Sequence, residues 1–472
     1  MAINYAQQWW IRVGGNVLNG GGYDSTVSGA GTNYADQDSP QLSLTDFATS
    51  GAGSTTLTSV TGGFTSAMIG NAIRIASGTN FQTGYYVVTG RTDTNTVTVD
   101  RTPTSGGAGS GGVGRLGGAF ALPGPSLSNS ATISTPLAPG HTINVRGGGT
   151  DTPSSADYIW SSYIGFPSGD GSNGYIRWIG YNGRPMLQGD GLMIHGSSNH
   201  DFVNFKFTTT GGSNGQLGYI SGGVSCRNVV FEQNGQAMAA LASPYSVIDC
   251  VFVNSGSTST DAYPAIANGL FGTIVIGNVI KNWRGNGIEV SNMGYIIGNL
   301  IINCHGTIAG IYSNTSSIQY GQGIIGNTIY NGAGDGIKLT TSASIQHTIV
   351  MNNICANNAG WGLNFSVNSQ SVNERLQRSK ANYNCYYANS SGAINNGSLG
   401  ANDSTSNPTF TNTSTDDFSI GTNLKALGFP ATFRGSGTTG YPDIGATQRQ
   451  EPAGGVAAGS FIHTGSGRAA NY

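Results

Sequence analysis

Between residues 287 and 366 a short phrase recurs in which apolar and polar positions alternate: GIEVS (287–291), GIYSN (310–314), GIKLT (336–340) and GLNFS (362–366). Alternation with a period of two is the mark of a β-strand with one buried face. It sets Ile288 and Val290, Ile311, Ile337 and Leu339, then Leu363 and Phe365 on one side. Glu289, Tyr312, Lys338 and Asn364 fall on the other. Helices would need apolar residues at 3.6-residue spacing among good helix formers, whereas these segments are rich in Gly, Asn, Ser, Thr and β-branched residues.

The phrase closes a longer unit. GNVIKNWRGNGIEV (277–290), GNLIINCHGTIAGIY (298–312), GNTIYNGAGDGIKL (326–339) and NNICANNAGWGLNF (352–365) share an Asn, a hydrophobic or Cys two places on and a second Asn four places on. The first Asn of each is Asn278, Asn299, Asn327 and Asn353. Looser copies run backward through Cys250, Val230 and Asn204 and forward to Cys385, at intervals of 20 to 32 residues. Short strands joined by Gly/Asn corners in units of this size stack as a parallel β-helix, one turn per repeat and about 4.8 Å apart. Asn tolerates left-handed backbone angles at corners, and identical amides stacked in successive turns bond to one another. Asn278, Asn299, Asn327 and Asn353 are therefore expected to form a structural ladder. The same stacking puts Glu289, Tyr312, Lys338 and Asn364 in one outward column, with Asp335 at its edge.

Outside the repeats the texture changes. TTLTSV, AIRIAS, GYYVVTG and NTVTVD, separated by turn residues, predict a small β-rich module over residues 1–120, leading into a Gly-rich hinge, TSGGAGSGGVGRLGGAF (104–120). Trp9 and Trp10 are read as core residues, with an anchor in a partner's pocket as the alternative. The tail 447–472 is Gly/Ala-rich and aperiodic.

Composition narrows the function. Of 472 residues 76 are Gly and only 9% are charged, with a net charge of −2, which leaves no electrostatic footprint for nucleic acid. No apolar run approaches a membrane span of about 18 residues. Cys226, Cys250, Cys304, Cys355 and Cys385 form no C-x-x-C pair and are odd in number, so buried free thiols are expected, without a disulfide framework or metal site. The match GAGSGG (107–112) to a dinucleotide fingerprint opens no helix and is expected by chance at this Gly content. MAINYAQQWWIRVGG lacks a basic segment followed by an apolar core, so a chain made in the host cytoplasm without a signal peptide is expected.

The quoted repeats resemble the right-handed parallel β-helix proteins, the pectate-lyase-like superfamily that includes phage tailspikes and other virion surface proteins. HTINVRGGGT (141–150) is similar to a first turn, YIRWIGYNGRPML (175–187) to an early turn with a Gly-Arg-Pro corner, and YPDIGATQ (441–448) to a closing segment. The resemblance implies an all-β chain: a β-rich module at 1–120 that attaches to or assembles with other virion proteins, a right-handed parallel β-helix (solenoid) over 121–446, and a tail at 447–472. It further implies a virion-associated structural protein of a tailed phage (tailspike, fibre or surface decoration), homotrimeric, presenting a rigid face to host surface polysaccharide, without a cofactor.

Family hydrolases use carboxylate pairs about 5 to 9.5 Å apart, and family lyases use Ca²⁺ with an Arg or Lys base. The Asn-Thr-Asp, paired Asp-Asp, Gly-His-Gly and Arg-Ile-Lys motifs of polygalacturonase-like enzymes are absent. Glu289, Asp335 and Lys338 are the candidates if the chain is a polysaccharide depolymerase; otherwise Asp335 and Lys338 decorate the surface of one turn. Tyr312 and Asn364 are candidate ligand contacts, as are Glu374 and Arg375 in the charged stretch SVNERLQRSK (371–380), since loops carry function more often than scaffold strands do. A secreted bacterial adhesin with a leader before Met1 is a further alternative.

Overall fold

The computed structural model describes residues 8–121, 137–148, 158–160, 174–189, 199–209, 223–233, 241–242, 244–255, 263–267, 272–290, 294–315, 319–341, 345–367, 380–424, 427–428 and 443–447. The chain is all-β with large parallel sheets. It divides into two compact units, Met1–Gln188 with Ile194–Phe205, and Gly189–Met193 with Lys206–Tyr472.

In the first unit, strand Gln8–Ile11 pairs in parallel with Thr142–Arg146, that strand with Ile176–Tyr181, and the last with His200–Val203. The register lines up Trp9, Ile143, Trp178 and Phe202, all fully buried. Each Trp indole finds a histidine: Trp9 Nε1 donates to His141 Nδ1 at 3.2 Å and Trp178 Nε1 to His200 Nδ1 at 3.0 Å. Trp9 thus lies in the core, and Trp10 is buried among Ala35, Ala119 and Tyr23. Residues 42–116 form a six-stranded, antiparallel sheet around Phe47, Leu57, Phe64, Ile73, Val88 and Leu116. The Gly-rich stretch expected to be a hinge supplies one of its inner strands, Ser110–Leu116, paired on both edges with Leu42–Phe47 and Ala72–Thr79. Its glycines are there for contact distance, since a Cβ at Gly112 would lie 2.6 Å from Phe81 and 2.7 Å from Phe47.

In the second unit, successive strands alternate among three parallel sheets. Thr273–Ile276, Val279–Lys281 and Ile288–Val290 belong to the first, second and third sheets, and the next three strands, Gly294–Ile297, Leu300–Ile302 and Ala309–Thr315, return to each in turn. Inward residues align in register: Val247, Val275, Ile296, Ile324 and Val350 in the first sheet, and Ile288, Ile311, Ile337 and Leu363 in the third. In the second sheet Phe231 stacks on Phe207 and Phe252, with centroids 5.5 and 4.9 Å apart, and later repeats replace the rings by Ile280, Ile301 and Ile329.

The corner between the first and second sheets is two residues long. Its first residue takes a left-handed backbone (Asn228, Asp249, Gly277, Gly298, Gly326, Asn352, Tyr383), and its second points inward (Val229, Cys250, Asn278, Asn299, Asn327, Asn353, Asn384). The inward Asn side chains join: Asn278 Nδ2 donates to Asn299 Oδ1 (2.8 Å), Asn299 to Asn327 (2.9 Å), Asn327 to Asn353 (2.9 Å) and Asn353 to Asn384 (3.0 Å). Each amide also donates to a carbonyl of the preceding repeat, Val247, Val275, Ile296, Ile324 and Val350 in order. The left-handed angles expected of these Asn belong instead to their neighbours, and to the second Asn of each unit: Asn282, Asn303, Asn331 and Asn357. Val229 and Asn384, rather than Val230 and Cys385, occupy the equivalent corner position.

The glycine of each GI phrase has a steric cause. A Cβ at Gly287 would come 2.9 Å from Ile301, at Gly310 2.4 Å from Ile329, and at Gly336 2.7 Å from Cys355, all in the following repeat's second sheet. Beyond the repeats, residues 404–424 cross the outer face of the second sheet, where Ile420 and Leu424 pack on Ile354 and Ala356, and Lys281 pairs with Asp416.

Asn327→Ala removes the acceptor of the Asn299 backbone and side-chain N–H groups and the donor to Ile296 and Asn353. A buried group left unpaired costs about 1–3 kcal/mol, so a loss of roughly 3–5 kcal/mol is expected in urea titration, against under about 0.5 kcal/mol for an exposed control such as Asn402→Ala.

Candidate functional site

The outward column of the third sheet exists as a line of register partners. Glu289 pairs with Tyr312, Tyr312 with Lys338, Lys338 with Asn364 and Asn364 with Asn395. Steps of about 4.8 Å put Glu289 and Lys338 about 10 Å apart, too far for an ion pair. Tyr312 stands between them. Glu289 is half-buried, and desolvation raises its pKa above the ordinary carboxylate value.

Asp335 does not decorate the surface. It is 7% exposed, and its carboxylate reaches into the next repeat, accepting from the Trp361 backbone N–H at 2.7 Å and from Asn364 Nδ2 at 2.7 Å. Asn364 is itself buried and accepts from Asn395 Nδ2 at 3.0 Å. Asp335, Asn364 and Asn395 thus form a second polar chain, outside the sheet. Both oxygens of Asp335 are engaged, and a carboxylate held this way is a tie between repeats. Lys338 is half-buried and makes no ion pair with any described residue.

Of the sequence candidates, the structure brings Glu289, Tyr312, Lys338 and Asn364 into one column and joins Asp335 to Asn364. Asn278, Asn299, Asn327 and Asn353 lie in the buried corner, away from that face. Glu374 and Arg375 lie outside the described residues. Composition concealed one feature. Asp403 ends the corner ladder, accepting from the Asn384 and Gly400 backbone N–H groups at 2.8 and 2.7 Å, with burial holding its pKa up against those bonds. Its signal was the Asp-Ser-Thr of GANDST (400–405), indistinguishable in sequence from the other polar turns.

The thiols offer no nucleophile. All five are buried and free, and burial pushes Cys304 and Cys385 up to about 12. Among the described residues no three His, Cys, Asp or Glu side chains come together as a metal site. No protein-family model matches the chain, and no curated protein is similar to it.

Asp335→Ala leaves the Trp361 N–H and the Asn364 amide unpaired, with an expected loss of about 2–4 kcal/mol. Asp335→Asn keeps one acceptor and loses roughly half of that. Chemical denaturation of both variants reads the difference, and equal losses would contradict the bonding described.

Burial raises the Glu289 pKa, so the folded state binds that proton more tightly than the unfolded chain, and stability is lost as pH rises through the folded value. Glu289→Gln is therefore expected to stabilise the protein at pH 7, by no more than about 1 kcal/mol after screening at a half-exposed site, and to leave it unchanged near pH 4. Thermal unfolding at the two pH values checks the sign.

Proposed function

We propose that this chain is a right-handed parallel β-helix of the pectate-lyase-like kind and serves as a virion-associated structural protein of a tailed phage, a tailspike, fibre or surface decoration that holds host glycan on a rigid face. The observation that carries the reading is the parallel register, kept from repeat to repeat across all three sheets of the second unit and pinned at one corner by a buried amide ladder. Such a scaffold resists local opening, because each strand is bonded on both sides and each corner amide is tied to its neighbours. An exposed attachment device needs that resistance.

A structural role is favoured over depolymerase activity by the state of the carboxylates. Hydrolysis needs two carboxyl groups facing one another across about 5 to 9.5 Å. In the third-sheet column one, Glu289, is available, and the other, Asp335, is engaged in scaffold bonds. The enzyme reading retains one supporting fact, since a carboxyl with a raised pKa is suited to general acid work.

Homo-oligomerisation, as a trimer, is supported by the outer face of the first sheet. Ile274, Tyr295, Gly323 and Ile349 are register partners, and beside them run Ile276, Ile297, Ile325 and Met351, so these outward positions of four adjacent strands carry no charge. Tyr295 is 53% exposed and Ile349 41%, and contiguous exposed apolar surface of this kind marks contact sites.

Incubation with a panel of bacterial capsule and O-antigen polysaccharides tests the function. Binding without chain shortening is expected, along with recovery of the protein by mass spectrometry from purified particles. Shortening abolished by Glu289→Gln would replace the scaffold reading by the enzyme one.

A further inference from the structure

The outer face of the second sheet carries a cavity of about 320 Å³, walled on one side by the sheet and on the other by residues 407–413. Its floor is made by three register partners, Tyr330, Ala356 and Tyr387, so that two tyrosines stand one strand apart on either side of a small residue. Ala356 opens the gap between them.

The wall holds the tyrosines in fixed attitudes. Phe410 and Phe418 meet the Tyr330 ring edge-on, with centroids 5.7 and 5.2 Å away. Asn357, held at φ 58° on the corner, also lines the space and donates its Nδ2 to the Tyr330 hydroxyl at 3.1 Å. Thr413 adds a hydroxyl. No Asp, Glu, Lys, Arg or His is among the described residues that line the space; outside it Lys281 and Asp416 form a salt bridge, and the Asp417 carboxylate accepts from the Ser419 backbone N–H.

Flat apolar rings, amide groups and hydroxyls around an uncharged space match a ligand with C–H faces and several hydroxyls but no charge. The volume lies at the low end of the range for small-molecule sites, about 300–1,000 Å³, and so admits a sugar ring rather than an extended chain. An anionic sugar would meet hydroxyls and amides but no cation among the described lining residues to offset its charge, which makes its desolvation more costly than that of an uncharged ring. We propose that this cavity binds a neutral pyranose unit, and discriminates against uronic acids, as a site separate from the third-sheet column. The proposal rests on the glycan-attachment reading for its biological setting, and on the cavity alone for its chemistry.

The test is calorimetric titration of the full chain with neutral oligosaccharides built of glucose, galactose, mannose or N-acetylglucosamine, and with oligogalacturonate as the acidic probe. At least one neutral probe is expected to bind, oligogalacturonate to bind at least tenfold more weakly, and Tyr387→Ala to lower the neutral affinity at least tenfold. Thr413→Trp, which fills the space from the wall without touching the sheet, is expected to do the same, and covers the case in which Tyr387→Ala disturbs the fold. Failure of every neutral probe, preference for the acidic one, or binding unchanged in Thr413→Trp overturns the proposal. Binding of a whole host polysaccharide that persists in Thr413→Trp would overturn this site and leave the attachment reading standing, whereas absence of the protein from purified particles would remove that reading and leave the cavity's chemistry as measured.

Discussion

The second unit depends on one repeated bond, the side-chain N–H of a corner asparagine donating to the side-chain carbonyl oxygen of the corner asparagine in the next repeat. A parallel sheet edge by itself fixes register weakly, because a slip by two residues preserves which side chains face inward. The amides remove that freedom. Asn299, for example, donates forward to Asn327 and backward to the Val275 carbonyl while accepting from Asn278, so each asparagine ties together three repeats. Buried amides are costly unless every donor and acceptor is used, and here a register error anywhere would strand several at once.

The ladder also has a direction. Every bond from one corner asparagine to the next runs from Nδ2 to the Oδ1 of the later repeat, so the stack begins with a donor and ends with an acceptor. It begins at the Cys250 backbone N–H, which donates to Asn278 Oδ1 at 2.9 Å, and it ends at Asp403, whose carboxylate has no proton to offer. An Asn there could accept from Asn384 through its Oδ1 but would set its Nδ2 against the Gly400 N–H, which the second carboxylate oxygen of Asp403 accepts.

How much of this was readable beforehand follows the range of the interactions. Ile288, Ile311, Ile337 and Leu363 were visible as inward positions because alternation is local, and Asn278, Asn299, Asn327 and Asn353 because the same letter recurs at one place in the unit. Where the letter changes, the sequence misled by one residue: Cys385 attracted the alignment that belongs to Asn384, since the cysteine echoes Cys250. Asp335 looked like a surface charge because GDGIKL reads as a turn, and only the following repeat supplies Trp361 N–H and Asn364 to occupy it. The stretch at 104–120 looked like a hinge because glycine density signals freedom locally, whereas here it permits Phe47 and Phe81 to lie against a strand. In each miss the deciding partner is distant in the chain.

Three sheets built on one repeat have diverged on their outer faces, and the divergence is where function has to be sought. Inward positions are held to apolar residues by the neighbours above and below, and the GI glycines are held by the next repeat's side chains, so neither can vary freely. Outward positions carry no such demand, yet the first sheet shows an uncharged aliphatic strip, the second is overlaid at Ile354 and Ala356 by residues 404–424 beside an uncharged cavity, and the third bears Glu289, Tyr312 and Lys338. Random solvation would have given each face a similar mixture of polar residues. The three faces thus differ in composition although they share a backbone: an apolar strip, uncharged rings and amides, and a sparse ionisable column.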